Sequence, residues 1–460
     1  SVAGQFYPLE KSELENELEK YLQQAEKINK NSRLRILIAP HAGIKYSGKT
    51  AADGFKQLEN ENYTKVIIIG VNHQKPFSHA AVYSSGNWET PLGTVNVNES
   101  IANSLVNNNE ILKDFEAHEK EHSLEMILIY LQKVLSDFTI VPISLNNPTE
   151  QVLEYLSFKI ANLVDDNTLI VISTDLSHYP NWENANIADK RTVDAILSTD
   201  ISMLENAINS NKSITNLSTS ACGYFPLRVG LRVAEILNFT ESVSYGYKNS
   251  GDITGDHERV VGYSSIGIYS EKIKPITLSQ STKEISLKLA RNAINKLILK
   301  DIINEEPVKT TNELKYPIGA FITLTKKGEL RGCIGQFEPN QPLESVIKEV
   351  SVNSATKDPR FSPVTKEELN DIEIEISTMS PQKQISDWRN IELGKHGVKI
   401  VNGNNTGTLL PQVAKDGEYT LESFLDTICV QKAGLKKDCY KNPNTIIYTY
   451  EVEIFSEANY

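Results

Sequence analysis

The chain has 460 residues, 40% of them hydrophobic and 23% charged, with a formal net charge of −12. That length exceeds one ordinary core, so at least two domains are expected. No stretch of about 18 apolar residues is present to cross a bilayer, and the absence of a basic patch argues against a nucleic-acid backbone binder.

Four cysteines, widely spaced apart from Cys429 and Cys439, do not make a disulfide framework. The opening Ser-Val-Ala-Gly-Gln-Phe-Tyr-Pro has no secretory pattern, and a reducing cytoplasm is the expected setting.

In chain order, residues 10–28 carry Leu14, Leu18, Tyr21, Leu22 and Ala25 at helical spacing. Three aliphatic runs then stop at polar groups: residues 35–39 before Pro40-His41, residues 65–71 before Asn72-His73, and residues 169–172 before Ser-Thr-Asp175-Leu-Ser-His178. Continuous apolar runs separated by helical segments predict strands of a parallel sheet buried on both faces. Helices are expected over 50–58, from 100 onward, and over 122–131, 188–197, 202–208 and 221–237. Strands are expected at 139–143, 243–247 and 260–269.

Ligands of open α/β sheets sit outside the carboxyl ends of the strands. His41, His73, Asp175 and His178 are therefore expected to share one polar pocket, suited to metal-ligand or acid/base chemistry. Asp175 with Ser177 and His178 also reads as a helix N-cap beside a solvated imidazole. Cys222 opens a helix, where the dipole favours the thiolate, although such a cysteine also serves as a small buried hydrophobe. His122 and Glu125 lie three residues apart on one helix, either orienting a pocket residue or forming a capping pair. His79, His118 and His257 carry no motif and are expected at the surface.

Residues 273–282 are polar, contain Pro275 and have no period, which is linker composition between a domain at 1–272 and a second at 283–460. The second begins with a helix at 283–300, strands at 318–324 and 329–335, a helix at 342–354 and an alternating strand at 372–377. Cys333 sits between Gly332 and Gly335, with His396 as the one histidine of this half. Either a thiol nucleophile with an imidazole base or a tight turn with a buried thiol fits.

The ordered motifs Ala3-Gly-Gln-Phe-Tyr-Pro8, Pro40-His-Ala-Gly43, Asn72-His73, Glu121-His-Ser-Leu-Glu-Met126, Ser173-Thr-Asp-Leu-Ser-His178, Ala221-Cys-Gly223 and Val260-Val-Gly-Tyr263 together resemble the Memo family (mediator of cell motility). That resemblance implies an α/β fold with a class III extradiol dioxygenase-like sheet flanked by helices. It also implies iron or copper held by His41, His73 and Cys222, with Asp175 and His178 nearby. One departure is Asn72-His73-Gln74, where relatives commonly have Ser-His. Leu330-Arg331-Gly332-Cys333-Ile-Gly335, Asp358-Pro-Arg360-Phe361, Lys395-His396-Gly397 and Leu410-Pro-Gln412-Val-Ala414 are similar to the AMME chromosomal region family. From these residues an α+β domain is implied, with a cleft around Arg331, Gly332, Asp358, Arg360, His396 and Gln412. The two families occur with a radical S-adenosylmethionine enzyme in the AmmeMemoRadiSam system, so such an enzyme is the implied partner.

The function expected from these features is a metal-dependent redox enzyme, dioxygenase-like, using Fe(II) or Cu on a small organic substrate. The third ligand is Cys222 or Asp175, and His178 is the general acid or base. Two alternatives are a non-catalytic peptide- or ligand-binding scaffold and a thiol enzyme centred on Cys333. Neither a dinucleotide fingerprint nor a P-loop is present, and no closely spaced cysteines mark an iron–sulfur site.

Overall fold

The computed structural model describes residues 1–107, 109–273, 276–299, 311–337, 339 and 341–459. It divides into two compact units, Ser1–Pro275 and Ile276–Tyr460. Among the described residues no helix is long and apolar enough to cross a membrane.

The first unit runs α1 (Lys11–Gln23), β1 (Arg33–Ala39), α2 (Ile44–Phe55), β2 (Lys65–Val71), β3 (Ala80–Val82), β4 (Asn87–Thr90), β5 (Gly93–Asn96), α3 (Glu99–Leu105), β6 (Ile111–Lys113) and α4 (Ser123–Val134). It continues with β7 (Thr139–Leu145), α5 (Glu150–Leu163), β8 (Thr168–Ser173), α6 (Trp182–Leu197), α7 (Ile201–Asn211), α8 (Tyr224–Leu237), β9 (Glu241–Asn249), α9 (Ser250–Thr254) and β10 (Gly262–Ser270). Eight strands form one sheet in the order β6-β3-β7-β2-β8-β1-β10-β9.

The four central strands β7-β2-β8-β1 are parallel. Val66 to Ile69 and Leu169 to Ile172 are completely buried, as strands covered on both faces must be. The sheet as a whole is mixed rather than parallel. β10 runs antiparallel to β1 and β9, and β3 antiparallel to β7. The short connection through α9 allows β9 and β10 to pair as neighbours without a crossover. The three-residue strands β3 and β6 are too short to show a periodic pattern in sequence.

The second unit contains α10 (Gln280–Leu299), β11 (Ala320–Lys326), β12 (Glu329–Gln336), α11 (Leu343–Thr356), β13 (Ile372–Met379), β14 (Lys383–Ile385), β15 (Gly397–Asn402), β16 (Asn405–Leu409), α12 (Pro411–Asp416), α13 (Leu421–Thr427), β17 (Ile446–Tyr450) and β18 (Val452–Ser456). Two antiparallel sheets, β12-β11-β13-β18 and β14-β17-β15-β16, give an α+β arrangement. α10 begins at Gln280, inside the stretch expected to be linker. Val398, Ile400, Phe424, Leu425 and Ile428 form a core that also holds a Cys429–Cys439 disulfide. One such bond is not a framework, and Cys222 and Cys333 stay free. The chain reverses after α13 and returns Cys439 onto Cys429, a closure that spacing alone does not reveal.

The place of His118 is a correction. Instead of lying at the surface it is 6% exposed, with Nε2 3.2 Å from the Ala81 carbonyl and its ring edge-on to Tyr83 and Trp88. His257 is exposed, and His79 pairs with Asp114 at 3.0 Å. Burial lowers the His118 pKa from 6.5 to about 4. Because the folded value lies below the unfolded one, the unfolded chain takes up the proton first as pH falls. The contribution to stability is complete above about pH 6.5 and is lost toward pH 4, about 3 kcal/mol in all. The His118 ring resonances are expected not to titrate between pH 7.5 and about 5.5 by NMR. An inflection near 6.5 would contradict the buried, neutral assignment.

Candidate metal centre

The pocket forms where β1, β2 and β8 end together and the turns into α4 and α8 close over them. Two glycines permit this closeness. A Cβ on Gly70, near the end of β2, would lie 2.7 Å from Ser123 Oγ and Leu124 Cδ2 at the start of α4. One on Gly223, before α8, would lie 2.6 Å from the Ser173 carbonyl and Thr174 Cβ.

His41 follows β1 and is 1% exposed. Its Nδ1 is 2.8 Å from Ser173 Oγ, and Ser173 Oγ donates to the Ser123 carbonyl at 2.6 Å. A hydroxyl has one proton to give, so Ser173 accepts from His41 Nδ1–H. Nε2 is left as a lone pair, 3.4 Å from Cys222 Sγ. Burial first, then the neighbouring His73 and His122, hold His41 well below the ordinary histidine pKa, so the ring is neutral.

His73 follows β2, with Nδ1 3.0 Å from Glu121 Oε1. A carboxylate only accepts, so this proton too sits on Nδ1 and Nε2 is free. Glu121 also accepts from the backbone N–H groups of His73, His122 and Ser123 at 2.5, 2.9 and 2.9 Å. Burial by itself would raise this carboxyl. The hydrogen bonds from the His73 ring and from the N–H groups outweigh it and bring the pKa down to about 2. The His73 and His122 rings stack at 4.8 Å, and His41 meets them edge-on at 5.3 and 5.5 Å. In each of two overlapping sets, His41–His73–Cys222 and His73–Glu121–His122, the three donor atoms lie within 4.8 Å of one another, a spacing that could hold a metal ion.

Cys222 accepts from the Asp175 backbone N–H at 3.2 Å. Burial pushes its thiol pKa well up and the Asp175 carboxylate adds to this, which corrects the expected lowering by the helix start. The dipole effect is outweighed because the sulfur is desolvated.

Asp175 Oδ1 accepts from the backbone N–H groups of His41 and Ala42 at 2.9 and 3.2 Å, which fixes the turn that presents His41. Its Oδ2 lies 4.0 Å from His41 Nε2, and it belongs to neither donor set. His178 is pinned by its backbone to Thr219, and its Nε2 is buried with no hydrogen-bond partner. Burial lowers the His178 pKa against the pull of Asp175.

Glu125 neither caps α4 with His122 nor orients a pocket histidine. It accepts from Tyr7 Oη at 2.7 Å, the Val2 N–H at 3.0 Å, and the Ser1 hydroxyl and amino groups. The carboxylate beside His73 is Glu121. Its residue type directly before a predicted helix was the available signal. Ser173 gave none.

In the second unit Cys333 Sγ accepts from Thr323 Oγ1 at 3.4 Å, and burial raises its pKa. Its backbone N–H donates to Asp358 at 2.8 Å, its carbonyl accepts from Arg360 at 3.2 Å, and Arg360 pairs with Asp358 at 2.7 Å. Arg331 is tied to Glu368, Gly332 lies under the Ser354 carbonyl, and Gln412 donates to Ser377. His396 Nδ1 accepts from the Glu392 N–H just before β15. The thiol–imidazole alternative is therefore not formed: each group has a different partner, Cys333 on β12 and His396 just before β15 of the other sheet.

A mixed α/β sheet with two histidines and a cysteine gathered at its carboxyl edge defines an α/β protein with a candidate metal pocket. A family model described as Memo-like protein matches residues 1–267, and a model described as AMMECR1 matches residues 287–455. The chain belongs to the Memo family, here fused to an AMMECR1 domain. It is similar to the MEMO1 family protein TV1383 of Thermoplasma volcanium, 33% identical over 268 residues covering 58% of this chain and 96% of the relative. Likewise it resembles the MEMO1 family protein of Thermotoga neapolitana, 36% identical over 277 residues covering 57% and 96%. Among solved structures, uncharacterized protein PH0010 of Pyrococcus horikoshii is 34% identical over 39% of this chain and 93% of its own, with a TM-score of 0.37. Uncharacterized protein JW3007 of Escherichia coli K12 is 12% identical over 51% and 100%, with a TM-score of 0.36.

Because Asp175 Oδ1 satisfies two backbone donors, Asp175→Ala is expected to cost about 2–4 kcal/mol in urea denaturation. Asp175→Asn, which keeps an acceptor oxygen, is expected to cost about 1 kcal/mol or less. Equal losses would show that the oxygen does not hold the turn.

Proposed function

We propose that His41, His73 and Cys222 hold one iron or copper ion and that the pocket performs redox chemistry on a small organic molecule. The observation that carries this reading is the pair of fixed tautomers. Ser173 and Glu121 each take the Nδ1 proton, leaving both Nε2 lone pairs for a cation. The donor chemistry fits a soft transition metal, since two neutral imidazoles and a sulfur suit copper or iron better than magnesium or calcium.

When bound, such a metal supplies redox or Lewis-acid chemistry. The chain's own residues do the rest. Glu121 and Ser173 orient the histidines, and Asp175 fixes the His41 turn. The Cys222 proton must leave for sulfur to ligate, so binding weakens as pH falls. His178 Nε2 is buried and unpartnered, a site that can exchange a proton with a polar substrate group.

The purified protein, reconstituted anaerobically with Fe(II) or Cu, is expected to hold close to one metal per chain by elemental analysis. His41→Ala and His73→Ala should each lose it. Glu121→Gln, which retains shape but not charge, should weaken affinity about tenfold. Full occupancy in both histidine variants would overturn the assignment. Metal binding without turnover of any oxidisable substrate would favour the binding-module alternative.

A further inference from the structure

Immediately after His178 the backbone does something costly. Tyr179 has φ of +75°, and among the described residues the other non-glycine positions in this region are Asn, Asp, Thr and Lys. An aromatic side chain is a true outlier there. The conformation is enforced by its surroundings. His178 N–H donates to Thr219 at 3.0 Å, Ser218 N–H donates to His178 at 3.0 Å, Tyr179 N–H donates to Val260 at 2.7 Å, and Val260 N–H donates to Pro180 at 3.0 Å.

This turn leaves His178 inward, where the Asp175 carboxylate acts on it, and Tyr179 outward with 43% of its surface exposed. The two rings remain 5.6 Å apart. Arg259 lies over the Tyr179 ring, its guanidinium carbon 4.6 Å from the centroid. Arg259 is exposed and has no ion pair among the described residues. Asp252 of α9 and Asp256 of the loop that follows it are engaged by Trp182 Nε1 and the Glu258 N–H, respectively. A guanidinium lying over an aromatic ring without an ion pair has N–H donors available for pairing with a carboxylate.

We infer that Tyr179 and Arg259 are specificity-determining residues of the His41–His73–Cys222 pocket, selecting a small planar carboxylic acid. Its carboxylate pairs with Arg259, its flat body packs on Tyr179, and a polar substituent reaches His178 Nε2. The inference rests on the proposed function for the identity of the pocket, but the recognition itself is independent of bound metal. Backbone strain at an exposed ring is retained because the turn sets this ring between the buried imidazole and the free cation.

The test is calorimetric titration of the full chain, metal-free and metal-loaded, with para-hydroxybenzoate and its neutral amide, para-hydroxybenzamide. Wild type is expected to prefer the acid by roughly tenfold or more, and Arg259→Gln to remove that preference while leaving amide binding unchanged. Tyr179→Asn, a residue that tolerates positive φ, should weaken both probes and leave the Tm equal or higher. No binding of the acid to wild type, equal binding of acid and amide, or an unchanged preference in Arg259→Gln would overturn the inference. Absence of metal with the acid preference intact would defeat the metal reading alone.

Discussion

The hydrogen bond from His41 Nδ1 to Ser173, continued from Ser173 to the Ser123 carbonyl, joins the end of β1, the end of β8 and the start of α4. All three groups are buried, so each must find its partner inside the protein. One hydroxyl proton, already committed to a carbonyl, decides the tautomer of the most buried imidazole. That choice determines which nitrogen faces the cavity. Glu121 repeats the logic for His73 with a charge in place of a hydroxyl.

Electrostatically the pocket is a balance between burial and partners. His41 and Cys222 are pushed to their neutral forms by desolvation, whereas Glu121 remains ionised because three backbone N–H groups and an imidazole face it. Asp175 lies between these cases. Burial raises its pKa, while His178 and the N–H groups of His41 and Ala42 pull the other way. With His41 and Cys222 neutral and Glu121 ionised, a site so arranged carries little net positive charge at its donor atoms, which favours entry of a cation.

The second unit solves a different problem. Its polar motif residues are largely occupied with one another: Asp358 and Arg360 clasp the two backbone groups of Cys333, and Arg331 is bound to Glu368. These contacts hold the β12 edge in place, and they explain the charges in the motif without requiring a nucleophilic thiol.

Much of the first unit is legible in sequence because parallel strands covered on both faces must be apolar throughout, and the polar residue that ends each run marks the sheet's carboxyl edge. Hence His41, His73 and the Asp175–His178 segment were identifiable from pattern, and the family resemblance added Cys222. Pattern did not disclose the antiparallel strands, the burial of His118 or the Cys429–Cys439 bond, because each depends on which distant segment packs alongside. The tautomers were likewise beyond it. Glu121 and Ser173 are ordinary residues by type, and only the approach of α4 and β8, allowed by Gly70 and Gly223, turns them into the partners of His73 and His41. Residue order determined which chemistry reaches the sheet edge, whereas tertiary packing decided which nitrogen, which carboxylate and which protonation state face the cavity.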